Sequence, residues 1–319
     1  MSQVKELPPT SGSVHVVLLD GGGFTTTDDW RIHADGHDRP YYLYDWCFYI
    51  HHKPTGKRIL WDLGISNDRS LYTPFILNYH WPSCNPVGPR LSLVAQLQKI
   101  GVQPETIDLV IFSHAHWDHC RPLKGEFPNA KALFGPGTTS HCSPGHITKG
   151  EIQPMVQWDS RFFGDENVIT DAFAELDGPW KSWGPFGNAM DFLGDGSFWI
   201  IQAPGHMAGN LAACVRLESG DHVLLASDCC HSKSIFDGTR EIAVVKAPEG
   251  LRVCLHEDLA AAHTTIAKLR EAVSHYGMYI AMAHDAEFIK DGSDVVLMSL
   301  LHPLFDSGAQ ERIRVGEQP

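Results

Sequence analysis

"LVIFSHAHWDH", Leu109 to His119, sets a short apolar run directly against three histidines and an aspartate. The run reads as a buried strand, and His114, His116, Asp118 and His119 follow where it ends. Imidazole and carboxylate are the side chains that hold zinc, iron or manganese. The same design recurs three times downstream. "FWIIQAPGH" ends in His206, "VLLASD" in Asp228 and "MYIAMAH" in His284. In α/β sheets, ligands commonly bind where strands end. Seven candidate ligands from four loops can therefore share one site.

Seven are too many for one tetrahedral zinc, which takes four. They suit two divalent ions. His114, His116 and His206 would hold the first, Asp118, His119 and His284 the second, and Asp228 would lie between them. Zinc heads the metals this set accepts, followed by manganese, iron and cobalt. A pair of such ions about 3.5–4 Å apart makes hydroxide available at neutral pH and polarises a substrate oxygen, which equips a site for hydrolysis. A polar turn would explain the first cluster alone in a chain with 19 histidines, but not the three later strand ends.

The rest of the chain narrows the class. With 319 residues, 43% hydrophobic and 10% aromatic, it can bury a sizeable core. A formal charge of −13 argues against nucleic acid and anionic membranes as partners. The N-terminal stretch lacks a long apolar segment, and no run of eighteen apolar residues follows. The eight cysteines are scattered, without CxxC pairs. A cytoplasmic location with free thiols is the expectation.

Strands are expected at Val14–Leu19, in "CFYIHH" and in "RILWDLG", with a tight turn at Gly21–Gly23. Helices are expected in "RLSLVAQLQKIG", closed by Gly101, and over 263–277. Loose alternation of strands and helices reads as a mixed α/β sheet protein. The expected organisation is a single domain over 1–319, with a loose lead-in at 1–12 and an aromatic-rich insertion at 158–198. That insertion is either an irregular surface excursion or a wall beside the site.

HxHxDH followed in order by His206, Asp228 and His284 resembles the ligand set of the metallo-β-lactamase superfamily. The likeness runs from about Val14 to His284. It implies an αβ/βα sandwich, two mixed sheets face to face with helices outside and a dimetal site along one edge. It also implies a proton-shuttle role for Asp118. Within the superfamily the chain is most similar to the N-acyl homoserine lactone lactonases. "LDGGGF", "RILWDLG", the aromatic before Asp118 and "HDAEF" from His284 all resemble their pattern. One position departs. Those lactonases have a tyrosine three residues after the bridging aspartate, where its hydroxyl polarises the lactone carbonyl; here His231 stands.

The resulting expectation is a hydrolase that opens a lactone or cleaves a related ester by attack of a metal-bridging hydroxide. Its substrate would be small, with aromatic or apolar character. Asp118 and His231 are the expected catalytic residues, and Asp62 would orient a ligand from behind. The rivals are a thioester hydrolase of glyoxalase II or polyketide-thioesterase type, and a non-catalytic metal-binding protein on the same scaffold. Cys229 and Cys230 read as buried hydrophobes, not ligands. Trp180, Trp183 and Phe186 read as local core. The apolar stretch 71–84 is either a homodimer contact or a pocket rim.

Overall fold

A computed structural model describes residues 5–26, 29–246 and 252–319; residues 1–4 of the expected lead-in lie outside it. Two six-stranded sheets form the frame. In spatial order the first holds His15–Thr26, Tyr41–His52, Lys57–Trp61, Leu109–Ile111, Lys131–Phe134 and Phe173–Glu175. Its first two pairings are antiparallel and the rest parallel. The second holds Tyr279–Met282, His222–Ser227, Leu211–Arg216, Phe198–Gln202, Phe186–Asp191 and Lys181–Trp183. It is antiparallel except where 279–282 runs parallel to 222–227.

Period-two burial explains the layering. Val16, Trp46, Phe48 and Ile59 of the first sheet meet Phe198, Ile200, Ala213 and Val223 of the second in the central core. The alternate residues of the first sheet pack on Leu93 and Leu97 of the helix Leu93–Lys99. Those of the second pack on Ile266 and Leu269 of the helix Leu259–Tyr276. This is the αβ/βα sandwich of two mixed sheets flanked by helices that the sequence implied.

Both expected helices form. Ser92 Oγ accepts a hydrogen bond from Ala95 N at one start, and Gly101 follows the end with φ +78°. The second begins at Leu259, four residues before the expected 263, because the Asp258 carboxylate caps Ala261 N. Gly277, with φ +66°, closes it. The tight turn expected at Gly21–Gly23 is instead a bulge inside a twelve-residue strand. Gly22 takes φ +90°, and a Cβ on Gly21 would fall 2.3 Å from the Asp45 carbonyl oxygen. Small size at these positions admits close backbone approach without ending the strand.

Residues 158–198 carry no detached excursion. They supply the last strand of the first sheet, the last two of the second, and the first residue of 198–202 beside them. Trp183 and Phe186 are buried in the helix-side core of the second sheet, and Trp180 packs against the central core. Among the described residues, no helix is long and apolar enough to cross a membrane.

Candidate metal centre

Strand direction brings the seven candidate ligands together. The strands 198–202, 222–227 and 279–282 run the same way in one sheet, and 57–61 and 109–111 run the same way in the other. Their carboxyl ends carry His206, Asp228, His284, Asp62 and the His114–His119 loop. Among the described residues, three groups have ligand atoms within 4.8 Å of one another: His114 with His116 and His206, Asp118 with His119, Asp228 and His284, and His206 with Asp228 and His231.

Asp228 is the hub. Its Oδ1 lies 3.1 Å from the Nε2 of His119 and 3.1 Å from that of His284. Its Oδ2 lies 3.4 Å from His206 Nε2 and 3.8 Å from His114 Nε2. His116 Nδ1 is 2.9 Å from His206 Nε2. Asp118 Oδ2 is 3.7 Å from the Nε2 of both His119 and His284. His114 Nε2, His119 Nε2 and Asp228 Oδ1 are buried with no hydrogen-bond partner. An unpaired buried polar atom costs about 1–3 kcal/mol. Imidazole nitrogens and carboxylate oxygens turned toward common points fit divalent cations.

The charge balance agrees. Burial pushes His116 down to about 4 and His114 and His206 well below the usual imidazole range, so these three are neutral donors. Burial also opposes charge on His119 and His284, but the surrounding carboxylates, Asp228 foremost, outweigh it. His119 rises well above its ordinary value and His284 rises to about 9. Asp228 is held well below the carboxylate range because His284 and His119 outweigh its burial. Divalent cations would take over this balance and release the two protons.

The superfamily model "Metallo-beta-lactamase superfamily" matches residues 43–125, which include the first four candidate ligands. The chain has the metallo-beta-lactamase fold. It is 26% identical over 305 residues to the "Cytochrome P450 monooxygenase mpaDE" of Penicillium roqueforti, covering 89% of this chain and 35% of that protein. The chain thus spans about a third of that relative's length. It is 26% identical over 196 residues to the N-acyl homoserine lactonase AttM of Rhizobium johnstonii, covering 58% of this chain and 65% of that one. A solved N-acyl homoserine lactone hydrolase with bound N-hexanoyl-L-homoserine superposes with TM-score 0.63 at 17% identity, covering 88% of this chain and 96% of that one.

Within this fold the candidate ligands are fixed from behind. Asp62 accepts hydrogen bonds from Ser113 N at 2.7 Å, Ser113 Oγ at 2.7 Å and His119 Nδ1 at 3.0 Å. His114 Nδ1 pairs with Ser113 Oγ at 3.0 Å, and His284 Nδ1 donates to the Tyr44 carbonyl at 2.5 Å. These contacts leave each Nε2 facing the centre. Trp158 stacks on His116 with planes 10° apart. Gly205, with φ +133°, lets the His206 loop press on the helix at Ala262, where a Cβ would sit 2.3 Å from the backbone nitrogen.

A cavity of about 420 Å³ opens onto His116, Asp118, His206, Asp228, His231 and His284. Phe24, Leu43, Phe75, Trp117 and Leu255 give it apolar walls. Phe75, His80, Ser83 and Cys84 place the 71–84 stretch on its rim. Cys229 and Cys230 are buried in the helix-side core and turned away from ligation, as the sequence indicated. Burial pushes the Cys230 thiol up to about 12.

Two polar residues at the centre escaped the sequence reading. Asp45 is wholly buried, with both carboxylate oxygens unpartnered. Its signal was a lone acid inside the apolar run 41–50. His256 is 3% exposed, with neither ring nitrogen hydrogen-bonded. It meets His206 and His231 edge-on, at centroid distances of 5.4 and 5.0 Å. Burial, reinforced by His231, lowers His256 to about 3. The unfolded chain therefore takes up this proton first as pH falls, and stability drops below about pH 6.5. His256→Phe should gain on the parent protein by up to about 1.4 kcal/mol per pH unit between pH 6 and 4. Thermal unfolding of both proteins across that range checks this, and a pH-independent difference contradicts it.

Proposed function

We propose that this chain is a metal-dependent hydrolase that opens a lactone or cleaves a related carboxylic ester of an apolar, ring-bearing small molecule. The observation that carries the reading is Asp228, buried at the floor of an aromatic-walled cavity, with His119 at one carboxylate oxygen, His206 and His114 at the other, and His284 3.1 Å from both. Two divalent ions, zinc first, held by His114, His116 and His206 and by Asp118, His119 and His284, with Asp228 shared, would supply hydroxide at neutral pH and polarise the carbonyl.

The chain's own residues do the rest. Phe24, Phe75 and Trp117 orient the acyl group and exclude water. Asp118 borders the cavity beside His119 and His284, so its Oδ2 is placed to carry a proton to the leaving alkoxide. Similarity to proteins named as lactonases supports a cyclic ester over an open one.

The test is turnover of acyl homoserine lactones, larger aromatic lactones, simple esters and acyl thioesters by metal-loaded protein. Chelated protein and His116→Ala serve as controls. Lactones or esters should turn over at least about 100-fold faster than in either control. Hydrolysis confined to thioesters, or undiminished in His116→Ala, overturns the reading.

A further inference from the structure

We infer that the chain holds a second ligand site, for a small carboxylate with a compact apolar body, away from the metal centre. The site is a cavity of about 220 Å³ between the strand His15–Thr26 and the helices Leu93–Lys99 and Ser307–Arg314. It shares no lining residue with the cavity over the candidate metal ligands. It stands independently of the hydrolase reading.

Charge selects the head of the ligand. Arg90 and Arg312 both border the cavity. Among the described residues neither guanidinium has a hydrogen bond or an ion pair, and Arg312 Nε is buried without a partner. A buried N–H that lacks an acceptor is rare in folded proteins. Asp20 is the one acidic side chain on the wall among the described residues, and its carboxylate is already engaged. It accepts from Gly22 N at 2.9 Å and from the Arg90 backbone N–H. Two guanidinium charges against one carboxylate leave this wall positive in a chain whose formal charge is −13. The planar guanidinium fork matches the two oxygens of a carboxylate.

Shape and polarity select the body. Leu91, Leu304, Phe305 and Ala309 face the same space, and the last two are buried. An apolar cavity of about 150 Å³ is enough to hold benzene. The volume here takes one ring with its carboxylate and is too small for a nucleotide. Inorganic phosphate would meet the arginines and leave the apolar wall without a partner.

The walls are built in advance. Gln96, 1% exposed, accepts from Asp20 N at 2.9 Å and donates to the Asp20 and Leu91 carbonyls at 2.7 and 2.8 Å. These bonds fix the strand against the loop that carries Arg90. On the opposite wall, Asp306 caps Ala309 N at 2.8 Å and Gln310 Nε2 donates to the Phe305 carbonyl at 2.8 Å. They fix the helix that carries Arg312. A wall held in this way spares a ligand the cost of ordering it.

Benzoate titrated into full-length protein, metal-loaded and chelated, tests the site by calorimetry. One benzoate should bind with the same affinity in both forms. Benzyl alcohol, which has the ring without the charge, should bind at least about 10-fold more weakly. In chelated protein Arg312→Leu should weaken benzoate at least about 10-fold. Arg90 is exposed, so Arg90→Gln leaves the fold intact and should weaken benzoate in the same direction. Equimolar inorganic phosphate should not displace it. Binding that vanishes on chelation places benzoate on the metals and overturns the inference. Undiminished binding in both arginine variants overturns it too, as does a parent protein that takes up no benzoate at about 10 mM.

Discussion

Asp228→Ala is expected to abolish metal retention and lower hydrolysis by at least about 10³-fold. Metal polarisation of a carbonyl contributes several kcal/mol to the transition state, and about 4 kcal/mol corresponds to that factor. No other side chain can compensate, because both Asp228 oxygens are engaged: His284 Nε2 lies 3.1 Å from each, His119 faces Oδ1, and His206, His231 and His114 face Oδ2. The fold should survive. Removing a buried anion usually strands its partners, at about 3–5 kcal/mol. Here the partners are imidazoles whose protons are held chiefly by Asp228 against burial, so they shed them. The check is metal content by elemental analysis together with thermal unfolding. A variant that keeps two ions would remove Asp228 from the hub, whatever its activity.

The centre was legible in sequence because each candidate ligand ends an apolar strand, a pattern that survives in one dimension. His206, Asp228 and His284 could be picked out individually since their strands share one direction in one sheet. What supports them was not legible. A hydrogen-bonded chain from Asp29 through His33 to Ser232 joins residues 199 positions apart, and no local pattern marks such a contact. His256 sits in a loop just before the helix cap Asp258, with no strand to flag it. The 158–198 segment read as either a surface excursion or a wall beside the site because its strands are short; those at 173–175 and 181–183 have three residues each, too few for periodicity to show. The glycine run misled for another reason. Gly21–Gly23 has turn composition, but the backbone contact with Asp45 that requires it is tertiary.

Asp62 offers the second large effect, and it separates orientation of the ligands from their identity. The residue is 1% exposed and adopts φ +60°, a left-handed conformation that aspartate and asparagine tolerate better than other non-glycine residues. It fixes one ligand of each cation set: His119 directly, and His114 through Ser113, whose hydroxyl donates to Asp62 and accepts from His114 Nδ1–H. Ser227, which precedes Asp228, donates to that same hydroxyl at 2.6 Å. Asp62→Ala leaves the Ser113 N–H, the Ser113 hydroxyl and His119 Nδ1–H without acceptors, at about 1–3 kcal/mol each. It also places alanine at a positive φ, and partial unfolding is expected. Asp62→Asn keeps the volume, the backbone preference and one acceptor, but turns an NH₂ toward two donors. It should stay folded and bind both ions about 10–100-fold more weakly. Separate affinities for the two ions decide the matter. Weakening of both places Asp62 at the junction of the two sets, whereas loss confined to the Asp118–His119–His284 side would reduce it to the partner of His119 alone.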